Sequence, residues 1–352
     1  MKILLVGISG VVCLLALSCS SLRSGADVIF PFRAGSGPGA SVMVIRSDSV
    51  VFAESFGCAD VEAGVNITPA TNFRLASVTK QFTAMSVMIL AERGALSLNQ
   101  TLQDFFPDVA PAARRITLRH LLTHTSGLIE YEDVMPDSTT VPVLDADVLR
   151  LLKGIDSTRF LPGTRFAYSN SAFALLALIV ERASGMPFAR FLEESIFRPL
   201  HMDASIAYER GKSVVANRAY GYSPDTLHPG SYVRTDQSMT SSVLGDGGIY
   251  SSVLDLSKWD EGLAACRLVP PARMSEVFAH QALTDDGKTW YGYGWFIGTV
   301  GGVEVFYHGG STIGFRTCVL RMPSRSLTVL VLCNRSDIPA VDVARQLAQV
   351  YM

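Results

Sequence analysis

Ser77 and Lys80 have the residue types and spacing that nucleophilic catalysis requires. The segment Ser77-Val78-Thr79-Lys80 opens an apolar run, and a spacing of three on a helix places both side chains on one face, one turn apart. A serine hydroxyl is a weak nucleophile until a neighbouring group takes its proton. A lysine can take that proton where burial makes its neutral amine accessible. The pair therefore predicts a nucleophile, Ser77, and an activating base, Lys80.

The same spacing also arises by chance on exposed helices, so its surroundings matter. Of the six lysines in the chain, only Lys80 has a serine three positions before it. The residues from Phe82 to Leu90 are apolar nearly all round the helix, which is typical of a buried helix. A lysine without a function would be costly there because burial removes it from water. Both observations favour the catalytic interpretation.

Tyr168-Ser169-Asn170, which follows the turn at Pro162-Gly163, is a second motif that could do chemistry. A tyrosine beside a lysine can pass a proton to a leaving group, and an asparagine can orient both lysine and substrate. The alternative is a turn in which Tyr168 packs and Asn170 or Ser169 caps the next helix. Capping and catalysis are compatible.

A third motif, His308-Gly309-Gly310-Ser311, lies between strand-like runs. Glycines at a strand edge let a substrate backbone lie close, and the amide of Ser311 could face a carbonyl oxygen. The alternative is a plain glycine turn between two strands.

At these three motifs, in this order, the sequence resembles the penicillin-recognising serine hydrolases. That family contains class C β-lactamases, D-alanyl-D-alanine carboxypeptidases, D-aminopeptidases and related esterases. The resemblance runs from about residue 38 to residue 335. It also includes three further segments: Phe73-Arg74-Leu75-Ala76, Leu121-Leu122-Thr123-His124-Thr125-Ser126-Gly127-Leu128 and Gly245-Asp246-Gly247-Gly248-Ile249-Tyr250.

The resemblance implies a role for each matched residue. Ser77 would be acylated, Lys80 would be its base, Tyr168 would shuttle protons and Asn170 would orient the substrate. The backbone amides of Ser77 and Ser311 would form an oxyanion hole. The other members of the third motif, His308, Gly309 and Gly310, would line the substrate site, whereas His124 would shape its loop. No cofactor and no metal ion are implied.

The third motif departs from the pattern of the family's β-lactamases. Those enzymes usually have Lys-Thr-Gly there, and the lysine and threonine attract the carboxylate of the antibiotic. His308 is mostly neutral at neutral pH, and Gly309 has no hydroxyl. Carboxylate binding should therefore be weaker unless Arg316 or another arginine compensates.

The elements expected around the motifs suggest an α/β (α+β) fold of the β-lactamase/transpeptidase type, with an antiparallel sheet flanked by helices and an inserted, mostly helical region. Strands are predicted near both ends of the chain and helices between them. The predicted strands are Ala40 to Ile45, Ser49 to Phe56, Val303 to Tyr307, Arg316 to Met322 and Leu327 to Leu332. The predicted helices are Ser77 to Arg93, Ile116 to Leu122, Asp145 to Lys153, Ser171 to Ser184, Phe188 to Phe197 and Val341 to Val350.

The domain organisation follows from these elements. Residues 38–352 form one hydrolase domain, whose α/β part covers about 38–95 and 240–352 and whose helical part covers about 96–239. Residues 1–19 have the basic start, the apolar run and the Ser18-Cys19 end of a lipoprotein-type signal peptide. Cys19 would then be the lipidated residue of an exported, envelope-anchored protein, and residues 20–37 its tether. Cleavage after a small residue, without lipidation, is the alternative.

Composition narrows the classes of function. Hydrophobic residues make up 48% of the chain and charged residues 18%, which indicates a sizeable core. A formal net charge of −2 gives no reason to expect nucleic acid as a partner. Cys58, Cys266, Cys318 and Cys333 show no metal-binding spacing, and we expect buried free thiols.

These observations predict a serine hydrolase that forms an acyl-enzyme on Ser77 and acts on small-molecule or peptidoglycan-derived substrates. The substrates would be peptides or esters with D-amino-acid character. A carboxylesterase of broad specificity is one alternative. A non-catalytic envelope binding protein is another, although the intact Ser77, Lys80 and Tyr168 argue against it. The sequence leaves the oligomeric state open.

Overall fold

The computed structural model describes residues 24–29, 32 and 37–352. Its main feature is an eight-stranded antiparallel sheet in the spatial order β3-β4-β5-β6-β7-β8-β1-β2. Both ends of the chain contribute, as predicted, and the first two strands form the expected hairpin. The strands are β1 Ala40–Arg46, β2 Ser49–Phe56, β3 Ala282–Leu283, β4 Trp290–Tyr291, β5 Phe296–Val300, β6 Val303–Thr312, β7 Phe315–Met322 and β8 Leu327–Cys333.

Strand β8 shows why the sheet is covered on both faces. All seven of its residues are buried, so its sequence is a continuous apolar run. Val329 and Val331 belong to one hydrophobic cluster, whereas Leu330 and Leu332 belong to another. This alternation is the two-residue period of a strand that buries both sides.

The domain has four longer helices: α1 Thr79–Glu92, α2 Asn170–Ser184, α3 Val253–Ala264 and α4 Ala340–Tyr351. Helix α4 covers the face that carries Val329 and Val331. Helix α1 lies within the cluster on the opposite face, and every residue from Thr79 to Leu90 is buried. Phe82 of α1 stacks on Trp259 of α3 with ring centroids 4.3 Å apart. The predicted buried helix is therefore observed.

The inserted region is mostly helical, as expected. Asp145–Lys153 is observed with the bounds predicted, and the predicted Phe188 to Phe197 is observed as an α-helix followed by a π-helix. Leu102–Phe105 and Tyr131–Val134 were not predicted. Two further segments, Leu118–Leu122 and α2, each begin after a capping side chain, Thr117 and Ser169 respectively. The shorter helices of the domain are Leu102–Phe105, Leu118–Leu122, Tyr131–Val134, Asp145–Lys153, Phe188–Leu192, Glu193–Phe197 (a π-helix), Leu244–Gly247 and Pro271–Val277.

Small β-ribbons complete the domain outside the main sheet. One of them, the pairing of Phe73–Arg74 with Ile249–Ser251, fixes the entry to α1 against a distant part of the chain. The remaining short strands are Cys58–Asp60, Val65–Asn66, Ile206–Ala207, Tyr222–Pro224 and Tyr232–Arg234.

The structure differs from the prediction in part of the proposed tether, residues 20–37. Gly25–Ile29 is a short helix, and its Val28 and Ile29 are buried in the cluster formed with α4. The amide of Gly25 donates to Tyr351 Oη at 3.3 Å. Burial of these apolar side chains holds the segment on the domain rather than leaving it as a linker. Cys19 and the predicted signal peptide lie outside the described residues.

Within the described part of the chain, no single helix has the length and apolar composition needed to cross a bilayer. One pair of consecutive helical segments, Asn170–Ser184 and Phe188–Phe197, meets the length and composition criteria when counted together, but the two segments are bent by 76°. The four cysteines of the described residues are free, and Cys58, Cys318 and Cys333 are buried.

Candidate active site

Ser77 lies in a tight turn that leads into α1. Ala76–Val78 is a single 3-10 turn, and α1 continues it from Thr79. Ala76 adopts a left-handed backbone with φ of 49°, which is uncommon for a residue with a side chain. Such local strain is typical of functional turns and has to be held by surrounding contacts. Those contacts come from the Gly245–Ile249 segment and from strand β6.

Lys80 is fully buried, and its Nζ has three hydrogen-bonding partners. Nζ lies 3.3 Å from Ser77 Oγ, 2.8 Å from Asn170 Oδ1 and 2.9 Å from the backbone oxygen of Asp246. The last two atoms can only accept. A neutral amine would spend its two N–H groups on them and present its lone pair to the Ser77 hydroxyl. The arrangement therefore suits both the neutral and the charged amine, with only the Ser77–Lys80 bond reversing direction.

Asn170 is held by carboxylates from the segment after Gly127. Its Nδ2 donates to Glu132 Oε1 at 2.8 Å, which leaves Oδ1 directed at Lys80. Glu130 Oε2 accepts from the backbone amides of Asn170 and Ser171, at the N-terminus of α2. Burial raises the pKa of Glu130, while these hydrogen bonds oppose the rise. Ser169 therefore caps α2 and Asn170 contacts Lys80, while the orientation of a substrate by Asn170 stays a prediction.

Tyr168 packs against Lys80, with Nζ 4.9 Å from the centroid of its ring. Its Oη is buried and has no hydrogen-bonding partner among the described residues. A buried hydroxyl without a partner is uncommon in folded proteins and fits a functional atom. The ring of Tyr168 therefore lies beside Lys80, although Tyr168 is not among the residues that line the cavity next to Ser77. Its role in proton transfer stays a prediction.

Gly310 allows strand β6 to lie against the nucleophile turn. A Cβ on this residue would be 2.1 Å from the backbone oxygen of Leu75 and 2.1 Å from Thr317 Oγ1. Only glycine fits there, and Ser311 follows directly. The motif is therefore part of a continuous strand that ends at Thr312, not a turn.

His308 is placed differently from the sequence expectation of a substrate-binding side chain. It is buried, and its Nδ1 lies 2.8 Å from the backbone oxygen of Gly309, to which it must donate. Its Nε2 then accepts from Tyr291 Oη at 3.1 Å. Burial, assisted by the charge of Lys80, lowers the pKa of His308 to about 3. His308 is therefore a buried, neutral imidazole that packs against Tyr291, and it does not present a positive charge to a carboxylate.

A cavity of about 150 Å³ lies beside the nucleophile. Three of the predicted site residues line it: Ser77, Asn170 and Ser311. Gly309 is displaced from it, because a Cβ there would meet Val341 on α4. Arg316 does not line this cavity, and its Nη1 donates to the backbone oxygens of Thr312 and Phe315.

Three charged residues on the cavity wall had no role assigned from sequence: Arg74, Glu132 and Asp246. Arg74 donates to the backbone oxygens of Gly247 and Ser241, so it ties this segment to the nucleophile turn. Two sequence signals could have pointed to these residues. Arg74 is a charged residue between the apolar Phe73 and Leu75, and Asp246 is an acid within a glycine-rich segment.

Asp246 contributes both its backbone oxygen and its carboxylate to the site. Tyr131 Oη donates to its Oδ2 at 3.2 Å. Burial raises the pKa of Asp246 to about 6; Glu132 adds to the rise, and the cations Lys80 and Arg74 oppose it. The cavity therefore combines a buried amine with two carboxyl groups.

Comparison with known proteins identifies the family. The family model described as Beta-lactamase matches residues 26–351, which is nearly the whole chain. The chain belongs to the β-lactamase family. The resemblance found in the three motifs and the expected fold class are confirmed, and the prediction of a serine hydrolase agrees with this membership.

Other members of the β-lactamase family are similar over most of this chain. Penicillin-binding protein 4* of Bacillus subtilis is 29% identical over 310 residues, covering 84% of this chain and 68% of that protein. A D-aminopeptidase of Gluconobacter oxydans is 27% identical over 317 residues and 89% of this chain. The chain spans only 58% of that D-aminopeptidase. Among solved structures, the octameric penicillin-binding protein homologue from Pyrococcus abyssi superposes with a TM-score of 0.78 at 28% identity, covering 88% of this chain and 72% of that one.

Proposed function

We propose that this β-lactamase-family protein hydrolyses amide or ester bonds through an acyl-enzyme on Ser77. The three contacts of Lys80 Nζ, with Ser77 Oγ, Asn170 Oδ1 and the backbone oxygen of Asp246, carry the proposal. Ser77 Oγ attacks the substrate carbonyl while Lys80 accepts its proton. Tyr168 delivers its proton to the leaving amine or alcohol and receives in its place the proton that Lys80 took from Ser77. Water then attacks the acyl-enzyme, releases the acid and restores the Ser77 hydroxyl.

The backbone amides of Ser77 and Ser311 are proposed to bind the oxygen that becomes negative during each attack. The contact of Gly310 with Leu75 supports this role, because it brings strand β6 against the nucleophile turn. Amides held in place before the reaction stabilise such an oxyanion without further reorganisation.

The proposed substrates are small molecules or peptidoglycan-derived peptides that carry a D-amino acid residue. The similarity to D-aminopeptidases supports this class. The acids Glu132 and Asp246 on the cavity wall favour a substrate with a protonated amine. A cavity of about 150 Å³ favours a small residue such as D-alanine, because pockets for drug-sized ligands measure roughly 300–1,000 Å³.

Intact-mass spectrometry with separate probes tests the reaction. A fluorophosphonate should add one adduct to the wild type and none to Ser77→Ala. Turnover should be faster with D-alanine p-nitroanilide than with the L-isomer, and penicillin should acylate Ser77 slowly, because position 308 lacks a lysine.

The same assay separates the alternatives. Hydrolysis of p-nitrophenyl acetate without any D-alanine anilide activity would identify a carboxylesterase instead. Absence of every adduct on the folded wild type would leave a non-catalytic binding protein and overturn the proposal.

We further propose that the protein is exported and anchored in the cell envelope through a lipid on Cys19. The apolar run before Ser18-Cys19 supports this proposal. A bacterial lipoprotein carries several acyl chains, which hold far more firmly than one. Metabolic labelling with a palmitate analogue should tag the wild type. Equal labelling of Cys19→Ala would show that the anchor is elsewhere.

A further inference from the structure

His124 contacts Tyr168 and both of its neighbours in the chain. The backbone oxygen of His124 accepts from the amide of Ala167 at 2.8 Å. Its ring Nδ1 accepts from the amide of Ser169 at 3.0 Å. Between those two bonds, the rings of His124 and Tyr168 pack with centroids 4.3 Å apart. His124 thus contacts the residue before Tyr168, the residue after it and the tyrosine ring itself.

We propose that His124 is the positioning residue of Tyr168 and fixes the direction of its hydroxyl toward the substrate and Lys80. This inference rests on the proposed function, because it concerns the residue proposed to move protons. His124 acts through Tyr168 and does not touch the reacting atoms.

The imidazole performs this role in its neutral form. Since Nδ1 accepts from a backbone amide, the ring hydrogen must be on Nε2. The ring is completely buried, and burial lowers the pKa of His124 well below its usual value, with the charge of Lys80 and then His308 adding to the effect. Tyr168 and Tyr291 are the other titratable groups that pack against the ring, Tyr291 at 4.6 Å. A protonated ring would lose the bond to Ser169.

The loop has other hydrogen bonds that hold it without the imidazole. The backbone oxygen of Thr125 accepts from Gly163, and that of Gly127 accepts from Arg159. The bond from Ala167 also ends on a backbone atom of His124. These three bonds do not involve the imidazole, so they can hold the loop in place when the ring is changed.

Two substitutions separate the acceptor from the ring. His124→Phe keeps an aromatic ring against Tyr168 but removes the acceptor for Ser169. His124→Asn puts an amide oxygen near the place of Nδ1, and asparagine tolerates the left-handed φ of 56° found here. Because a misplacement of about 1 Å costs on the order of 10²-fold in rate, we expect His124→Phe to lower kcat about 10- to 100-fold with KM little changed. His124→Asn should recover part of that loss.

A double-mutant comparison with Tyr168→Phe distinguishes positioning from general loosening. If His124 acts through Tyr168, His124→Phe should reduce kcat by no more than about threefold in the Tyr168→Phe background. Equal losses in both backgrounds would overturn the proposal. So would a loss for His124→Asn as large as that for His124→Phe. Thermal melts of each variant show whether the fold is kept.

A second measurement does not depend on turnover. Fluorine NMR of protein labelled with 3-fluorotyrosine reports on each tyrosine ring, and Tyr168→Phe assigns the Tyr168 signal. That signal should shift or broaden in His124→Phe and return toward its native position in His124→Asn. An unchanged signal would overturn the positioning role. If the wild type shows no hydrolysis, the proposed function fails, while this signal still decides the inference.

Discussion

At the scale of single residues, the central feature is a lysine whose hydrogen bonds are fixed by two obligate acceptors. Asn170 Oδ1 and the backbone oxygen of Asp246 occupy two directions around Nζ, and Ser77 Oγ occupies the third. The fixed acceptors leave the lone pair of a neutral amine only one partner, which is the nucleophile. These two acceptors orient Lys80 as the aspartate orients the histidine base in a Ser-His-Asp triad.

Substitution of Lys80 tests this arrangement. Lys80→Met should reduce the rate of acylation by ~10²–10⁴-fold, because a positioned proton acceptor typically contributes that much. Lys80→Arg should not restore it, since a guanidinium remains protonated and cannot accept the proton. Rates of fluorophosphonate labelling measure the effect. Labelling at the wild-type rate in folded Lys80→Met would assign the base to another group.

Tyr168 gives a separate prediction. Tyr168→Phe removes one oxygen atom that has no partner in the described chain, so the fold should keep its thermal stability within a few degrees. Turnover should nevertheless fall by ~10²-fold or more, because the proton path to the leaving group is lost. Thermal melts and steady-state rates on D-alanine p-nitroanilide measure the two effects. Unchanged turnover would exclude Tyr168 from the proton path.

At the scale of elements, strand β6 shows how a glycine decides the geometry of a site. Residues from Val303 to Tyr307 have the β-rich pattern of a strand, and pattern alone ends the strand before the two glycines. The observed strand continues to Thr312 because Gly310 fits against Leu75 where any side chain would collide. The extra residues carry Ser311 to the cavity beside Ser77.

Gly310→Ala should therefore damage both stability and activity. The new methyl group meets backbone and Thr317 at distances that require the strand or the turn to move. A shift of either element separates Ser311 from Ser77, so we expect a lower melting temperature. We also expect turnover to fall at least about tenfold, because a small misplacement of catalytic groups has an effect of that order. Gly298→Ala on neighbouring β5 is the matched control, since its nearest atom would be 3.6 Å away. Equal behaviour of the two variants would refute the steric explanation.

At the scale of the whole molecule, buried ionisable groups act in opposite directions on stability. Burial raises the pKa of Asp145 to about 7 and that of Asp246 to about 6. The stability that these two raised pKa values contribute is fully present below the unfolded pKa of 3.8, and it is lost as the pH rises through the folded values. The pKa values of His308 and His124 are lowered instead, so the unfolded chain binds protons more readily than the folded one. Stability from these two residues is therefore lost as the pH falls below 6.5. The two trends oppose each other across mildly acidic pH.

His308→Gln makes one of these trends measurable. The wild type should lose stability relative to this variant by about 1.4 kcal/mol per pH unit as the pH falls from 6.5 toward the folded pKa of about 3. Chemical denaturation at several pH values between 7 and 4 gives the difference between the two proteins. The exposed His280→Gln is the control. A difference that stays constant across this range would mean that His308 is not held neutral by the fold.

The relation of Ser77 to Lys80 follows from the sequence alone. A spacing of three across the 3-10 turn and the start of α1 is a local property, so residue types and helical periodicity were enough to pair them. The same holds for the cap of α2, which the sequence assigns to Ser169 or Asn170, for strand β8 and for the apolar α1. Each depends on residues that are close together in the chain.

Tertiary structure alone decided which distant groups complete the site. The bond from Lys80 to Asp246 joins residues 166 positions apart, and that from Arg74 to Gly247 joins residues 173 apart. The packing of β6 against the turn at Leu75 decides which side of the strand faces the cavity. It therefore also decides that His308 is buried against Tyr291. Such contacts follow from the register of strands and the packing of helices over long separations, which no local pattern in the chain encodes.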